Sequence, residues 1–195
     1  MIGWEDLPAT FTAAQARRAG VQNRDLYRAR DDGVLLELSR GVFRRASAPT
    51  PTYPGLLGVA HRAPGAVVCL LSAAAVHGLT DELPPAIQIA VPRRAWRPVI
   101  EYPPVEVFSW DAATFELGLE LVDAAEGEPV RVYSPARTVV DLMRLRQRVG
   151  ESVAHIAVRR YVSSPRRRIG ELIELAESLD VLGPVRAAVE VLTAS

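Results

Sequence analysis

Apolar residues recur at helical spacing through the first part of the chain and then switch to alternation. Phe11, Ala16 and Ala19 can share an inner face, leaving Gln15, Arg17 and Arg18 outside. Thr12 followed three residues later by Gln15 is a capping-box pattern, and Gly20 suits a left-handed stop, so a helix is predicted over 13–19. Val21 is the apolar residue of a tight connection. Asn23 is the expected N-cap of a second helix over 24–31, with Leu26 and Ala29 inward and Gly33 at its end. Arg24, Tyr27 and Arg28 fall at i, i+3 and i+4 on its outer face. Residues 34–38 and 41–45 alternate around Ser39, Arg40 and Gly41 and predict a hairpin. Helix, turn, helix and hairpin is the winged helix-turn-helix order. Ahead of it, residues 3–7 predict a short helix carrying Trp4 and Leu7.

Residues 47–54 (SAPTPTYP) hold three prolines and read as a linker. The expected organisation is therefore a winged helix over 1–48, a Pro-rich linker over 49–54 and a second domain over 55–195. In that domain the pattern predicts a helix over 56–63, an apolar run over 66–71 and a helix over 73–77 capped by Ser72. Strands follow over 86–91, 99–102, 105–110, 119–122 and 130–133. Ser134 and Pro135 mark a helix start that runs to about 148. Further helices are predicted over 152–162, 169–179 and 184–192. The fold class is α+β: an N-terminal winged helix-turn-helix, then a mixed domain with a small β-sheet and C-terminal helices.

Charge refines this picture. The chain of 195 residues has 23 basic and 23 acidic residues, but they are segregated. Residues 1–48 hold eight Arg and six acids; 101–128 hold eight acids and no Arg; 129–170 hold ten Arg and two acids. Local fields therefore say more than the net charge. Every basic residue is arginine, which leaves no lysine for a carboxylate-and-lysine nuclease centre or a Schiff base. The first nine residues contain Glu5 and Asp6 and lack the pattern of a signal peptide, and no apolar run is long enough to span a bilayer. A cytoplasmic protein is expected. Cys69 is the sole cysteine and sits in an apolar run.

Candidate chemistry is sparse. His61, His77 and His155 show no zinc-ligand spacing, so no metal is expected. The phosphate-loop patterns are absent, and no cofactor is expected. Ser72, His77 and Asp81 contain the residue types of a triad; the plainer reading is that His77 caps its helix as a cation or packs beside the sheet. Asp81, Glu82, Arg93, Arg94, Arg137 and Asp141 are the types an unconventional phosphoryl-transfer site would use, or else surface pairs and caps. Arg137 and Asp141 at i, i+4 make a local ion pair. The basic stretch 129–170 reads either as a partner-facing patch or as the complement of the acidic stretch 101–128, with Arg166–Arg168 its exposed part. Trp96 among Arg93, Arg94 and Arg97 reads equally as a contact loop or a core residue.

Several blocks resemble one family. They are FTAAQARRAG with NRDLYRARDDGVLLELSRGVF at the front, VVCLLSAAAVHGL and IQIAVPRRAWRP in the middle, and VRVYSPARTVVDLMRLR with QRVG near the end. Together they resemble the AbiE-type antitoxins, transcriptional regulators of type IV toxin–antitoxin operons. The resemblance implies a winged helix that binds inverted repeats in its own promoter and represses the operon. It also implies a C-terminal domain that counters a nucleotidyltransferase-like toxin. A kinase-like activity on the toxin, stoichiometric toxin binding and a plain repressor remain as alternatives. On the DNA-binding reading, Gln22, Asn23, Arg24, Tyr27 and Arg28 enter the major groove. Arg17 and Arg18 touch the backbone beside it, and Arg40, Arg44 and Arg45 hold phosphates from the wing.

Overall fold

The computed structural model describes residues 3–193. Its class is α+β, as expected, with two small sheets and nine α-helices among the described residues. The chain divides into two compact units: 1–66 with 98–105 and 122–130, and 67–97 with 106–121 and 131–195. This division differs from the expected boundary at 49–54, because the helix after the prolines and two later excursions of the chain belong to the first unit.

The first unit opens with a 3-10 turn at Trp4–Asp6 and strand β1 (Thr10–Thr12). Helix α1 (Ala13–Arg18) begins on a complete capping box: the Gln15 amide donates to the Thr12 hydroxyl at 3.2 Å, and the Thr12 amide to the Gln15 side chain at 2.6 Å. It ends in a Schellman turn, with Val21 N–H on the Ala16 carbonyl, Gly20 N–H on that of Arg17, and Gly20 at φ +88°. Helix α2 (Asn23–Asp31) starts one residue earlier than expected, so Gln22 is the N-cap and Asn23 the first helical residue. It closes with a second Schellman turn through Gly33 and Val34. Strands β2 (Leu35–Ser39) and β3 (Val42–Arg45) follow.

Strand β1 has no counterpart in the pattern reading. It pairs antiparallel with β3, Phe11 opposite Phe43, and gives a three-stranded sheet in the order β1-β3-β2. Phe11, Ala16, Leu26, Ala29, Leu35 and Phe43 form the buried core, with each large side chain contributing roughly 1.5–3 kcal/mol. Helix α3 (Pro54–Arg62) packs on β2, where Gly58 is required: a Cβ there would lie 2.7 Å from the Leu38 carbonyl oxygen.

The second unit holds β4 (Val67–Val68), α4 (Leu70–Val76), β5 (Ile87–Pro92) and β6 (Val105–Trp110), whose first residue falls in the first unit. Next come β7 (Leu119–Ala125) and β8 (Glu128–Tyr133), whose hairpin tip belongs to the first unit. The sheet order is β6-β5-β4-β8-β7, with β4 antiparallel to β5 and parallel to β8. Residues 99–102 form no strand; proline at 98, 103 and 104 removes the ladder donors around them. Five helices close the chain: α5 (Pro135–Arg144), α6 (Arg146–Val149), α7 (Glu151–Ser163), α8 (Ile169–Ser178) and α9 (Leu182–Thr193). The single helix expected over 135–148 is broken at Leu145 into α5 and α6. No helix among the described residues is long and apolar enough to cross a membrane.

Candidate nucleic-acid interface

The outer surface of α1 and α2 is where the expected contact residues converge. Arg17, Arg18, Gln22, Asn23, Arg24 and Arg28 are all exposed. Arg17 reaches the Asn23 side-chain oxygen at 3.5 Å, which joins the end of α1 to the start of α2. Arg24 and Arg28 keep about four fifths of their side-chain surface in solvent. Their ion pairs, with Asp25 at 3.5 Å and Asp32 at 4.0 Å, are exposed and contribute little, so phosphates can displace them.

Tyr27 sits between these two arginines. One side of its ring packs edge-on against Phe43 at 5.8 Å, and the Arg30 guanidinium lies over it at 5.0 Å. Arg30 is itself held by Asp31 and Glu37. The ring is thus fixed from the core side while part of it stays exposed.

The hairpin separates its three arginines. Arg40 stands exposed at the turn, which is set by Gly41 at φ +74° and by the Gly41 amide donating to Glu37 at 2.9 Å. Arg44 is not a surface residue. It is only 2% exposed, and its guanidinium donates to the Thr10 hydroxyl at 2.6 Å, the Pro49 carbonyl at 2.7 Å and the Glu128 carboxylate. Burying a guanidinium without such partners costs several kcal/mol, so Arg44 is committed to the fold and leaves the contact set. Arg45 is largely covered and pairs with Glu5, which also removes it from the free cations of the hairpin. Both corrections come from partners distant in sequence, Glu5 for Arg45, and Thr10 and Glu128 for Arg44. Strand β1 covers β3, and residues 128 and 49 bring acceptors from elsewhere in the sequence.

In exchange the fold supplies neighbours of Arg40 that no local pattern indicates. Arg62 at the end of α3 is exposed and donates to the Arg40 carbonyl at 3.3 Å. A hollow of about 300 Å³ runs between Ala13, Ala14, Arg40, His61 and Arg62. On the other side of the turn, Tyr102 joins a hollow of about 370 Å³ with Tyr27, Arg30 and Arg40, anchored by the Ser39 hydroxyl donating to the Tyr102 carbonyl at 2.7 Å.

The candidates for chemistry do not assemble. Ser72 lies inside α4, not at its cap, and accepts from the Gln88 amide at 2.9 Å. His77 sits at the C-terminal cap of α4, with Nε2 2.7 Å from the Tyr133 carbonyl. A carbonyl only accepts, so Nε2 carries the proton. Burial lowers the His77 pKa, and its contact with Tyr133 at the end of β8 agrees with the reading that the ring packs beside the sheet. Asp81 pairs with Arg160, which holds its carboxyl below the usual range. Burial raises the Cys69 thiol well above its ordinary value, away from nucleophilic use. Among the described residues no cluster of His, Cys, Asp or Glu is arranged to hold a metal.

Arg137 and Asp141 do pair as their spacing predicts, but inside the core. Both side chains are 0% exposed, Arg137 Nε donates to Asp141 at 2.9 Å, and Arg144 reaches the same carboxylate at 2.8 Å. Burial pushes the Asp141 carboxyl upward and the two guanidiniums oppose that push. Arg137 also donates to the Thr114 and Leu117 carbonyls and lies over the Tyr133 ring at 4.3 Å. Arg144 and Arg148 lie over Trp110 and Phe108, each at 4.6 Å. Arg131 and Arg148 pair with Glu116 and Glu106 of the acidic stretch. Much of the basic stretch therefore complements its own unit, while Arg166–Arg168 stay exposed. Trp96 is exposed too, on the turn after β5.

Comparison with known proteins matches two consecutive stretches of the chain. A family model described as "Transcriptional regulator, AbiEi antitoxin" matches residues 6–46, and one described as "AbiEi antitoxin C-terminal domain" matches 66–158. Together they cover more than half of the chain, which belongs to the AbiEi antitoxin family, a family of antitoxins that are transcriptional regulators. The crystal structure of the RV2827C protein from Mycobacterium tuberculosis is similar in fold, with a TM-score of 0.57 over 95% of this chain and 77% of that one. Sequence identity is 18%, so the likeness concerns fold alone. No curated protein sequence matches the chain.

Proposed function

We propose that the protein is the antitoxin of a type IV toxin–antitoxin system in the cytoplasm and represses its own operon through residues 1–48. The observation that carries the DNA-binding part is the outward face of α2, where Arg24, Tyr27 and Arg28 stand exposed beside Arg17, Arg18, Gln22 and Asn23. Exposed arginines on a second helix, with a hairpin presenting Arg40, have the composition and order of a major-groove reader with a phosphate-holding wing. Asp25, Asp31 and Asp32 sit near the ends of α2, so its middle face stays cationic. Inverted repeats in the promoter imply two copies on DNA. The second module, beyond the linker at 49–54, counters a nucleotidyltransferase-like toxin; family membership supports that role.

The test is a mobility-shift titration on the protein's own promoter at fixed salt. Replacing Arg24 or Arg28 by Ala is expected to weaken binding by roughly 1–3 kcal/mol for each good base pairing the arginine made. Unchanged affinity in both variants overturns the assignment. For the second module, a toxin gene beside this one and rescue of growth by the Arg24→Ala/Arg28→Ala chain are the expected results. A mass increase of the toxin after incubation with protein, ATP and Mg²⁺ would replace that reading with the kinase one.

A further inference from the structure

We infer that the groove between α7 and α9 is a binding site for a small anionic amphiphile, an acyl chain ending in a carboxylate. Helix α9 buries Val185 and Val189 in the core of the second unit. Helical spacing then places Pro184, Ala187, Ala188, Val191 and Leu192 on an adjacent stripe at i, i+3, i+4, i+7 and i+8. That stripe lines an open groove of about 550 Å³, and Val191 is 71% exposed. The volume lies within the range of small-molecule sites, and the wall runs roughly 12 Å along two turns of helix. Arg186 and Glu190 lie on the opposite side of α9 by the same spacing.

The facing wall is cationic. Helix α7 presents His155 and Arg159 one turn apart, with apolar Ile156 beside them, and Met143 lies at the floor. Arg159 is exposed and makes no ion pair among the described residues. Arg146 also lines the groove, its Nη1 fixed on the Met143 carbonyl at 2.9 Å and its Nε 3.9 Å from Glu151. An apolar trough edged by two arginines and a histidine, with no acid among its described lining residues, matches an apolar tail and an anionic head. A second copy presenting the same face would set these arginines against one another, which disfavours self-pairing.

The test is calorimetric titration of the full chain with dodecanoate below its micellar concentration, with dodecyltrimethylammonium as the control of equal tail and opposite head. Dodecanoate is expected to bind saturably, one molecule per chain, and the ammonium at least about tenfold more weakly. Arg159→Glu is expected to weaken dodecanoate about tenfold, and Ala187→Trp, which fills the trough from an exposed position, to abolish it. Far-UV circular dichroism checks that both variants fold, and either one alone decides. Unsaturable heat, equal binding of the two head groups, or full binding by Ala187→Trp overturns the inference. A dimer that Ala187→Trp dissolves, without dodecanoate uptake, also overturns it and gives the groove to a second copy.

Discussion

The outer face of α2 and the core face of α5 use the same residue type for opposite purposes. On α2, Arg24 and Arg28 carry loose, exposed ion pairs that a stronger anion displaces. On α5, Arg137 is fully buried, with a carboxylate, two carbonyls and an aromatic face supplied by its own unit. Arginine suits both roles because its charge is permanent and its planar fork meets either phosphates or buried acceptors. Exposure, not charge, decides which arginines are available to a partner.

The largest effect separating the two regions should come from Arg137→Ala. It takes the Nε donor from the buried Asp141 carboxylate, leaving Arg144 to hold it, and is expected to destabilise the protein by roughly 3–5 kcal/mol in urea unfolding. A loss below about 1 kcal/mol would show that the buried pair does not organise the second unit. Arg44→Ala comes next. It leaves Glu128 and Thr10 without their donor and should cost roughly 2–3 kcal/mol. If that variant keeps full stability and instead loses DNA affinity, Arg44 returns to the contact set.

These two arginines also show where sequence reading stops. The capping box at Thr12 and Gln15, the helix-ending glycines 20 and 33, and the Ser134–Pro135 start are local chemistry, and the structure bears each of them out. Strand β1 is three residues long and pairs with a partner 34 positions from Thr10, so no period announces it. The burial of Arg44 depends on Glu128, 84 residues away, and a run such as FRR gives no sign of that distance. Arg137 and Asp141 were legible as a pair, but not as a buried one, because i, i+4 spacing is the same on either face of a helix. Arg62 beside the Arg40 turn was invisible for the same reason as β1: the two meet only through tertiary packing.

Smaller effects sharpen the contrast. Arg40→Ala should leave stability within about 0.5 kcal/mol of the parent and lower the salt slope of promoter binding by about 0.9, the share of one phosphate. An unchanged slope would take the wing off the DNA backbone. The smallest effect is a pH dependence. Burial lowers the pKa of both His77 and His61 from the ordinary value of 6.5, so the unfolded chain takes up protons first. The associated stability is present above pH 6.5 and is lost as pH falls from there through the lower folded values. His77→Gln, which keeps a donor for the Tyr133 carbonyl, should flatten the decline seen by denaturant unfolding between about pH 7 and pH 5. A decline as steep as the parent's would assign it to other groups.

The most direct test of the central claim measures two quantities on one variant, Arg24→Ala/Arg28→Ala: promoter affinity by fluorescence anisotropy and stability by urea unfolding. The account predicts that affinity falls by roughly 1–3 kcal/mol for each base those arginines pair with, while stability changes by less than about 0.5 kcal/mol. Parental affinity in a folded double variant, or a fall in stability large enough to explain the weaker binding, would contradict it.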